Sequence, residues 1–323
     1  MPSGNQLPSW LEIAIENLIQ EYPLSDLQQA YADLSLRYRS QPGASGYHSK
    51  LESLAYVAAR LPATYAVVKQ CLTELPEAYA PTSILDLGAG PGTASLACLE
   101  TFTPTTIHLI EQDRSSIEWG RHLLAAAPDN TSQTSYKSID LQKLSADTLY
   151  DLVVASYVFG ELTPDHQRDL FHRALALTTD YFLIIMPGTP RGYEVINTLR
   201  NLALELGTSI VAPCTHQQKC PLKDNDWCHF PVRLPRSAWH KRLKGGDLGY
   251  EDEKFSYLLL SKHTMPLRYS GRIIKHPHHA SGHGTLDICT NGNLEILPYS
   301  RKKSPRYQEL RHLKWGDGLK QTI

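Results

Sequence analysis

The sequence predicts an α/β fold: a doubly wound parallel sheet with an N-terminal helical cap and a β-rich C-terminal extension. From residue 81 onward, short apolar runs alternate with helical patterns, the order that builds a parallel sheet covered on both faces. Glycines 88, 90 and 92 stand between the first of these runs and its helix. After residue 208 the helical pattern stops, and a polar stretch with three cysteines gives way to short β-like runs.

Residues 1–80 read as the helical cap. Trp10, Ile13, Ile15, Leu18 and Ile19 recur near a 3.6-residue period, and Leu24, Leu27, Tyr31 and Leu34 continue it. "QPGASGY" (41–47) reads as a loop. The helix "KLESLAYVAARLPATYAVVKQCLTEL" follows, with Arg60, Pro62 and Tyr65 looking exposed. Residues 81–206 form the sheet domain. Its expected strands are "TSILDLG", "TIHLIEQD", "TSYKSID", "YDLVVASYVFGEL" and "YFLIIMPG", with helices such as "SSIEWGRHLLAAA" and "RGYEVINTLRNLALELG" between and after them. Residues 207–323 begin with the cysteine loop. "SYLLLSK" reads as a strand added to the sheet, and "GRIIKHP", "GTLDICT" and "NLEILPY" as short strands separated by turn signals.

Composition is that of a globular protein, 41% hydrophobic and 20% charged, and no apolar run reaches membrane-spanning length. No secretory or organellar leader pattern opens the sequence, so a cytoplasmic location is expected, with no membrane partner and a monomeric chain. The net charge of −1 hides an asymmetry: residues 1–228 carry 15 basic and 25 acidic side chains, residues 229–323 carry 17 and 8. A basic C-terminal third suits a polyanion.

The stretch "LDLGAGPGTASLA" lets the backbone turn sharply through Gly88, Gly90 and Gly92 and approach a ligand beside a helix N-terminus. Asp86 lies just inside the first strand's end, where a carboxylate can meet an ammonium group. Glu111 ends the second strand, placed for two ribose hydroxyls, and Asp140 ends the third, placed for an adenine amino group. A nicotinamide dinucleotide reading uses Glu111 and leaves Asp86 and Asp140 without a role. Over residues 81–206 the set resembles the class I S-adenosylmethionine-dependent methyltransferases. The tetrad with which amine-methylating nucleic-acid enzymes hold a base is absent after the fourth strand, which reads "ASYVFGEL". Tyr157, Glu161 and His166 lie near that strand end and read as loop residues; none stands out as a general base.

Cys214, Cys220 and Cys228 share one loop, with His216 and His229 beside them. Cys71 and Cys98 fall inside apolar helical patterns and read as small core residues. Cys289, ending a short strand before a turn, can supply a fourth ligand from afar. The spacing lacks the paired C-x2-C of zinc ribbons, and the loop follows the fifth strand, the wrong place for a catalytic cysteine of the cytosine-methylating type. Four thiolates suit tetrahedral zinc or an iron–sulfur cluster, and the irregular spacing with a Cys220-Pro221 step leans towards the cluster. Such a site staples the loop to the C-terminal segment, which shows little apolar core of its own.

"LPATYAVV", "SILDLGAGPGTASLA", "MPGTPRGYEVINTLR", "APCTHQQKCPL", "DWCHFPVRLPRSAWHKRLKGG" and "EDEKFSYLLLSK" together resemble the ribosomal small-subunit Rsm-type methyltransferase-like family, whose mitochondrial members include methyltransferase-like protein seventeen. The resemblance runs from about residue 45 to the terminal "LRHLKWGD". It implies a class I methyltransferase-like fold, association with the small ribosomal subunit or its rRNA during assembly, and a [4Fe-4S] site on Cys214, Cys220, Cys228 and Cys289. It leaves catalysis open, with rRNA as the expected substrate of any methyl transfer. One departure is Met186 before "PGTP", where such proteins tend to carry an acidic residue.

"YSRKKSPRYQELRHLKWGD" sets Arg301, Lys302, Lys303, Arg306, Arg311 and Lys314 beside Tyr299, Tyr307 and Trp315, a mixture suited to phosphates and unpaired bases. "HKRLKGG" (240–246) reads as a second basic cluster.

Overall fold

The computed structural model describes residues 5–40, 46–128, 132–144, 148–223 and 225–320. Most of the loop expected at 41–47 lies outside them. The chain folds as two units, residues 1–184 with 232–253, and residues 185–231 with 254–323. No helix of the described residues is long and apolar enough to cross a membrane.

The first unit opens with helices α1 (Ser9–Ile19), α2 (Leu24–Ser40) and α3 (Lys50–Leu72). Ser49 caps α3 by accepting a hydrogen bond from the backbone N–H of Glu52, as the S-x-x-E spacing allows. Helix α3 is buried on nearly every face, the signature of a helix inside a core. Pro62 and Tyr65, expected to be exposed, are buried there, and Arg60 is tied by two hydrogen bonds to Glu253.

The sheet then builds in order: β1 (Ser83–Leu87), α4 (Thr93–Leu99), β2 (Thr106–Ile110), α5 (Arg114–Ala125), β3 (Gln133–Lys137), β4 (Tyr150–Ser156), α6 (Pro164–Leu177) and β5 (Thr178–Pro187). Strands run β3-β2-β1-β4 in parallel register, with β5 next to β4. Strand β1 is almost wholly buried because helices cover both its faces, whereas edge strand β3 alternates exposed and half-buried residues. Strand order reverses at β1, between β2 and β4, which opens a crevice at the strands' carboxyl ends.

The second unit contains α7 (Pro190–Glu205) and β6 (Ser209–Ala212). Strand β7 (Phe230–Pro235) leads to α8 (Ala238–Lys244) in the first unit, and β8 (Tyr250–Ser261) returns, pairing with β7 and, antiparallel, with β6. A separate five-stranded sheet follows: β9 (Tyr269–Ile273), β10 (His278–Ala280), β11 (His283–Thr290), β12 (Asn293–Ser300) and, after the one-turn helix α9 (Tyr307–Leu310), β13 (Gly318–Lys320). Ile273, Leu286, Ile288, Tyr299, Tyr307 and Leu310 form its core. This corrects the expectation of a C-terminal segment with little apolar core: apolar side chains pack together within this sheet.

Candidate functional site: a carboxylate-lined pocket and a thiol-lined cavity

The crevice of the first unit is a pocket lined by Asp86, Gly88, Gly90, Glu111 and Asp140, with Tyr47 and Tyr56 from the helical cap region and Ser156, Tyr157 and Glu161 from the end of β4. Five of the six residues expected to hold a cofactor therefore line one cavity. Gly92 does not. It is the N-cap of α4 at φ +77, and a Cβ there would stand 2.8 Å from the Tyr136 hydroxyl, so its work is to let the helix start against β3. Gly88, at φ +63, yields to Val158, whose Cγ2 would lie 2.4 Å from an added Cβ.

Asp86 is 1% exposed. Its Oδ2 accepts hydrogen bonds from the Ser95 hydroxyl (2.8 Å) and backbone N–H (3.1 Å). Its Oδ1 is buried without a partner. Burial, with a smaller contribution from the Glu111 charge, pushes its pKa up to about 6 despite the two bonds from Ser95. Glu111 is fixed by three backbone donors: Gly90 N–H reaches Oε2, and the Gln112 and Asp113 N–H groups reach Oε1, all at 2.8 Å. Asp140 accepts from the Gln142 N–H at 2.9 Å and so caps the short 3-10 turn at Leu141–Lys143.

Sequence reasoning passed over the β4 side of the pocket. Tyr157 sits in the left-handed region at φ 66, a costly conformation for an aromatic residue, and the 3-10 turn Val158–Glu161 follows it. This turn brings Glu161 into the pocket, where surrounding protein and the Glu111 charge raise its carboxyl to about 7. The residue is nonetheless exposed by surface area, so water moderates that shift. His166 lies outside the pocket, on α6, within 3.4 Å of Gln142. The hydroxyl oxygens of Thr93, Ser156 and Tyr157, like Asp86 Oδ1, are buried without partners, and all four residues line this pocket. Native interiors rarely leave such groups unpaired, so the pocket offers free hydrogen-bonding capacity that water or a polar ligand can take up.

In the second unit Cys214, Cys220, Cys228 and Cys289 line a single apolar cavity with Arg200 and Arg272. The turn after β6 carries Cys214, and β11 carries Cys289 from the other sheet. Thr215 Oγ1 donates to the Cys289 carbonyl at 3.3 Å and Ser256 Oγ to that of Cys228 at 2.7 Å, which ties the three segments together. No disulfide forms, and Cys71 and Cys98 are core residues, 1% and 0% exposed. Burial pushes the Cys214 and Cys228 thiols up, and Cys289 to about 12. The expected metal staple is not shown: among the described residues no group of three or more His, Cys, Asp or Glu is arranged to hold a single metal ion. His216 and His229, the competing candidates, have other partners: His216 Nδ1 accepts from Gln218 N–H, and His229 stacks on Trp227.

The basic segments are also partly committed to the fold. Tyr299 and Tyr307, expected to stack on bases, are 4% and 7% exposed in the core of the second sheet. Arg306 pairs with Glu309. Within 240–246, His240 is buried and Lys244 pairs with Glu251. Arg301, Lys302, Lys303, Arg311 and Lys314 remain on the surface.

Two solved structures match the chain at low similarity. Magnesium protoporphyrin IX methyltransferase of Synechocystis PCC 6803, with S-adenosylmethionine bound, is 10% identical over 74% of this chain and 97% of its own, at a TM-score of 0.41. N-methyltransferase NodS of Bradyrhizobium japonicum WM9, with S-adenosylhomocysteine, is 12% identical over 64% and 89%, at 0.42. The strand order and glycine turn are themselves those of a class I methyltransferase-like α/β fold. The ribosome assembly protein RSM22 of Saccharomyces cerevisiae mitochondria is 22% identical over 83% of this chain and 67% of its own length. The family described as mitochondrial small ribosomal subunit Rsm22 matches residues 50–320. A cytoplasmic location does not stand against these two findings: it rested on a missing leader pattern, a short compositional signal, while both relatives are described as mitochondrial. The match spans both units, the carboxylate-lined pocket and all four cavity cysteines, and the chain belongs to the Rsm22 family.

Proposed function

We propose that the chain binds S-adenosylmethionine in the carboxylate-lined pocket and acts, as a monomer, in assembly of the small ribosomal subunit through contact with its rRNA. The observation that carries the cofactor is the convergence of unpartnered buried polar atoms on that pocket, Asp86 Oδ1 foremost. Asp86 would hold the ammonium group, Glu111 the ribose hydroxyls and Asp140 the adenine amino group, with Gly88 and Gly90 admitting the ligand close to the backbone. Bound S-adenosylmethionine supplies an electrophilic methyl group. The chain's part is to orient the acceptor, to exclude water, and to hold a proton-accepting carboxylate, Glu161, within the same pocket. Titration calorimetry with S-adenosylmethionine and S-adenosylhomocysteine tests this reading, and absence of binding heat for both removes it.

A second reading, a non-catalytic assembly factor, has one observation in its favour. Strand β5 ends in Met186, 2% exposed, and Pro187, so no carboxylate ends that strand. Incubation with methyl-labelled cofactor and immature small subunits separates the readings. Label incorporated into rRNA supports the enzyme; tight subunit binding without label supports the scaffold.

The four cavity cysteines would hold a [4Fe-4S] cluster. The donor set is all sulfur and the lining apolar, which suits a soft, closed site. A single zinc ion needs four sulfurs at about 2.3 Å; a cluster spreads its corners and accepts thiols standing further apart. Iron, sulfide and zinc analysis after anaerobic purification decides it, and zinc without sulfide removes the cluster.

A further inference from the structure

Helix α7 sends two side chains to the thiol cavity from positions two turns apart, Tyr193 and Arg200. Arg200 is 2% exposed. Its Nε donates to Cys214 Sγ at 3.2 Å, its Nη2 donates to the Gln218 carbonyl, and its Nη1 is buried without a partner. No carboxylate pairs with it among the described residues. A buried guanidinium without a counter-charge is an expensive thing to keep, and the cavity it faces is lined by four thiols and no carboxylate.

The neighbouring sulfurs are served in the same way. The Tyr193 hydroxyl lies 3.2 Å from Cys220 Sγ. His216 accepts the Gln218 N–H at Nδ1 (3.2 Å), so the neutral ring carries its proton on Nε2, and Nε2 stands 3.5 Å from Cys289 Sγ. His216 is 3% exposed. Three of the four cavity sulfurs thus face a side-chain group able to donate a hydrogen bond to them.

We propose that Arg200, Tyr193 and His216 form a ring of sulfur-directed donors that positions Cys214, Cys220 and Cys289 and compensates the negative charge of a bound cluster, Arg200 supplying the charge. This rests on the cluster reading above. Four thiolates around a doubly positive core leave two net negative charges. Hydrogen bonds and positive charge at the sulfurs favour the reduced, more negative state of such a core. Arg200 is a positioning residue in this account: it touches a ligand sulfur and does not ligate.

The test uses the full chain reconstituted anaerobically with ferrous iron and sulfide. Iron per chain, the rate of iron loss to a chelator, and the reduction potential in a dithionite titration are measured for wild type, Arg200→Gln, Arg200→Lys and Tyr193→Phe. Arg200→Gln is expected to lose iron about tenfold faster, a change of about 1.4 kcal/mol, and to hold a cluster that is harder to reduce. Arg200→Lys, which keeps the charge, recovers part of the potential. Tyr193→Phe, which removes one hydroxyl and leaves the fold intact, shifts both readouts the same way by less. Potential and loss rate unchanged in both Arg200→Gln and Tyr193→Phe overturn the inference and leave the cluster standing. A wild-type chain that retains no iron and sulfide overturns the cluster and the inference together.

Discussion

Asp86 accepts two hydrogen bonds from Ser95 through Oδ2 and keeps Oδ1 buried without a partner. The end of β1 is thereby fastened to the first turn of α4, and half of a carboxylate is left for a ligand. An ionised group in that position is held at a cost that a cationic ligand relieves. Asp86→Asn keeps an acceptor for Ser95 and removes the charge. It is expected to weaken S-adenosylmethionine binding at least tenfold at pH 7.5, with stability of the free chain unchanged or raised by about 1 kcal/mol. Calorimetry and thermal melting measure the two effects, and undiminished affinity in the variant would show that Asp86 plays no part in holding the ligand.

The raised carboxyls of Asp86 (about 6) and Glu161 (about 7) set a pH dependence. Both pKa values lie above those of the unfolded chain, so the folded state binds protons more tightly. Their stabilising contribution is complete below about pH 4, where both states are protonated. It is lost as pH rises, by about pH 6 for Asp86 and about pH 7 for Glu161. Affinity for a cationic ligand runs the other way, rising between pH 5 and 7 as the carboxylates ionise. The stabilisation of the melting temperature by S-adenosylmethionine should therefore grow across that interval. A ligand-induced shift that is flat from pH 5 to 7.5 contradicts the assignment.

Asp86, Glu111 and Asp140 were legible because a strand end followed by a turn fixes where a side chain points, and periodicity locates strand ends. Glu161 was not, because only the left-handed Tyr157 and the 3-10 turn after it swing that carboxylate into the pocket, and a short irregular turn has no period. Tyr56 was hidden for another reason: it comes from a helix some thirty residues before Asp86, and sequence spacing says nothing of that approach. The four cysteines could be grouped by chemistry, and their arrangement around a cavity could not be read from spacing. Tyr299 was misread because its basic neighbours suggested an exposed tail, whereas it sits in β12, opposite Gly284 of β11, with its side chain in the sheet's core. Lys244 was misread because its partner Glu251 stands on β8, beyond a turn.

Gly88 and Gly90 separate two costs. Gly88→Ala adds a Cβ 2.4 Å from Val158 at positive φ, so the backbone strain adds to a clash with the turn that carries Glu161. Gly90→Ala, at φ +53, meets nothing within 4 Å and carries only the backbone strain. Denaturant unfolding is expected to show a loss of about 1 kcal/mol for Gly90→Ala and about 3 kcal/mol for Gly88→Ala. Equal losses would mean that Val158 moves aside freely and that the turn is not pressed on the glycine.

Under the proposed contact with rRNA, affinity should follow Arg301, Lys302 and Lys303, which stand on the surface after β12, and not Tyr299 or Tyr307. Neutralising the three cations together is expected to weaken binding to single-stranded small-subunit RNA and to lower the slope of log affinity against log salt by about 2. Tyr307→Ala is expected instead to destabilise the second unit by roughly 3 kcal/mol, as removal of a core aromatic does, with the salt slope of the remaining folded protein unchanged. The physical division is between charges that water still reaches and rings that the sheet has already covered. An unaltered slope in the triple variant, or loss of RNA binding in a fully folded Tyr307→Ala chain, would reverse that division.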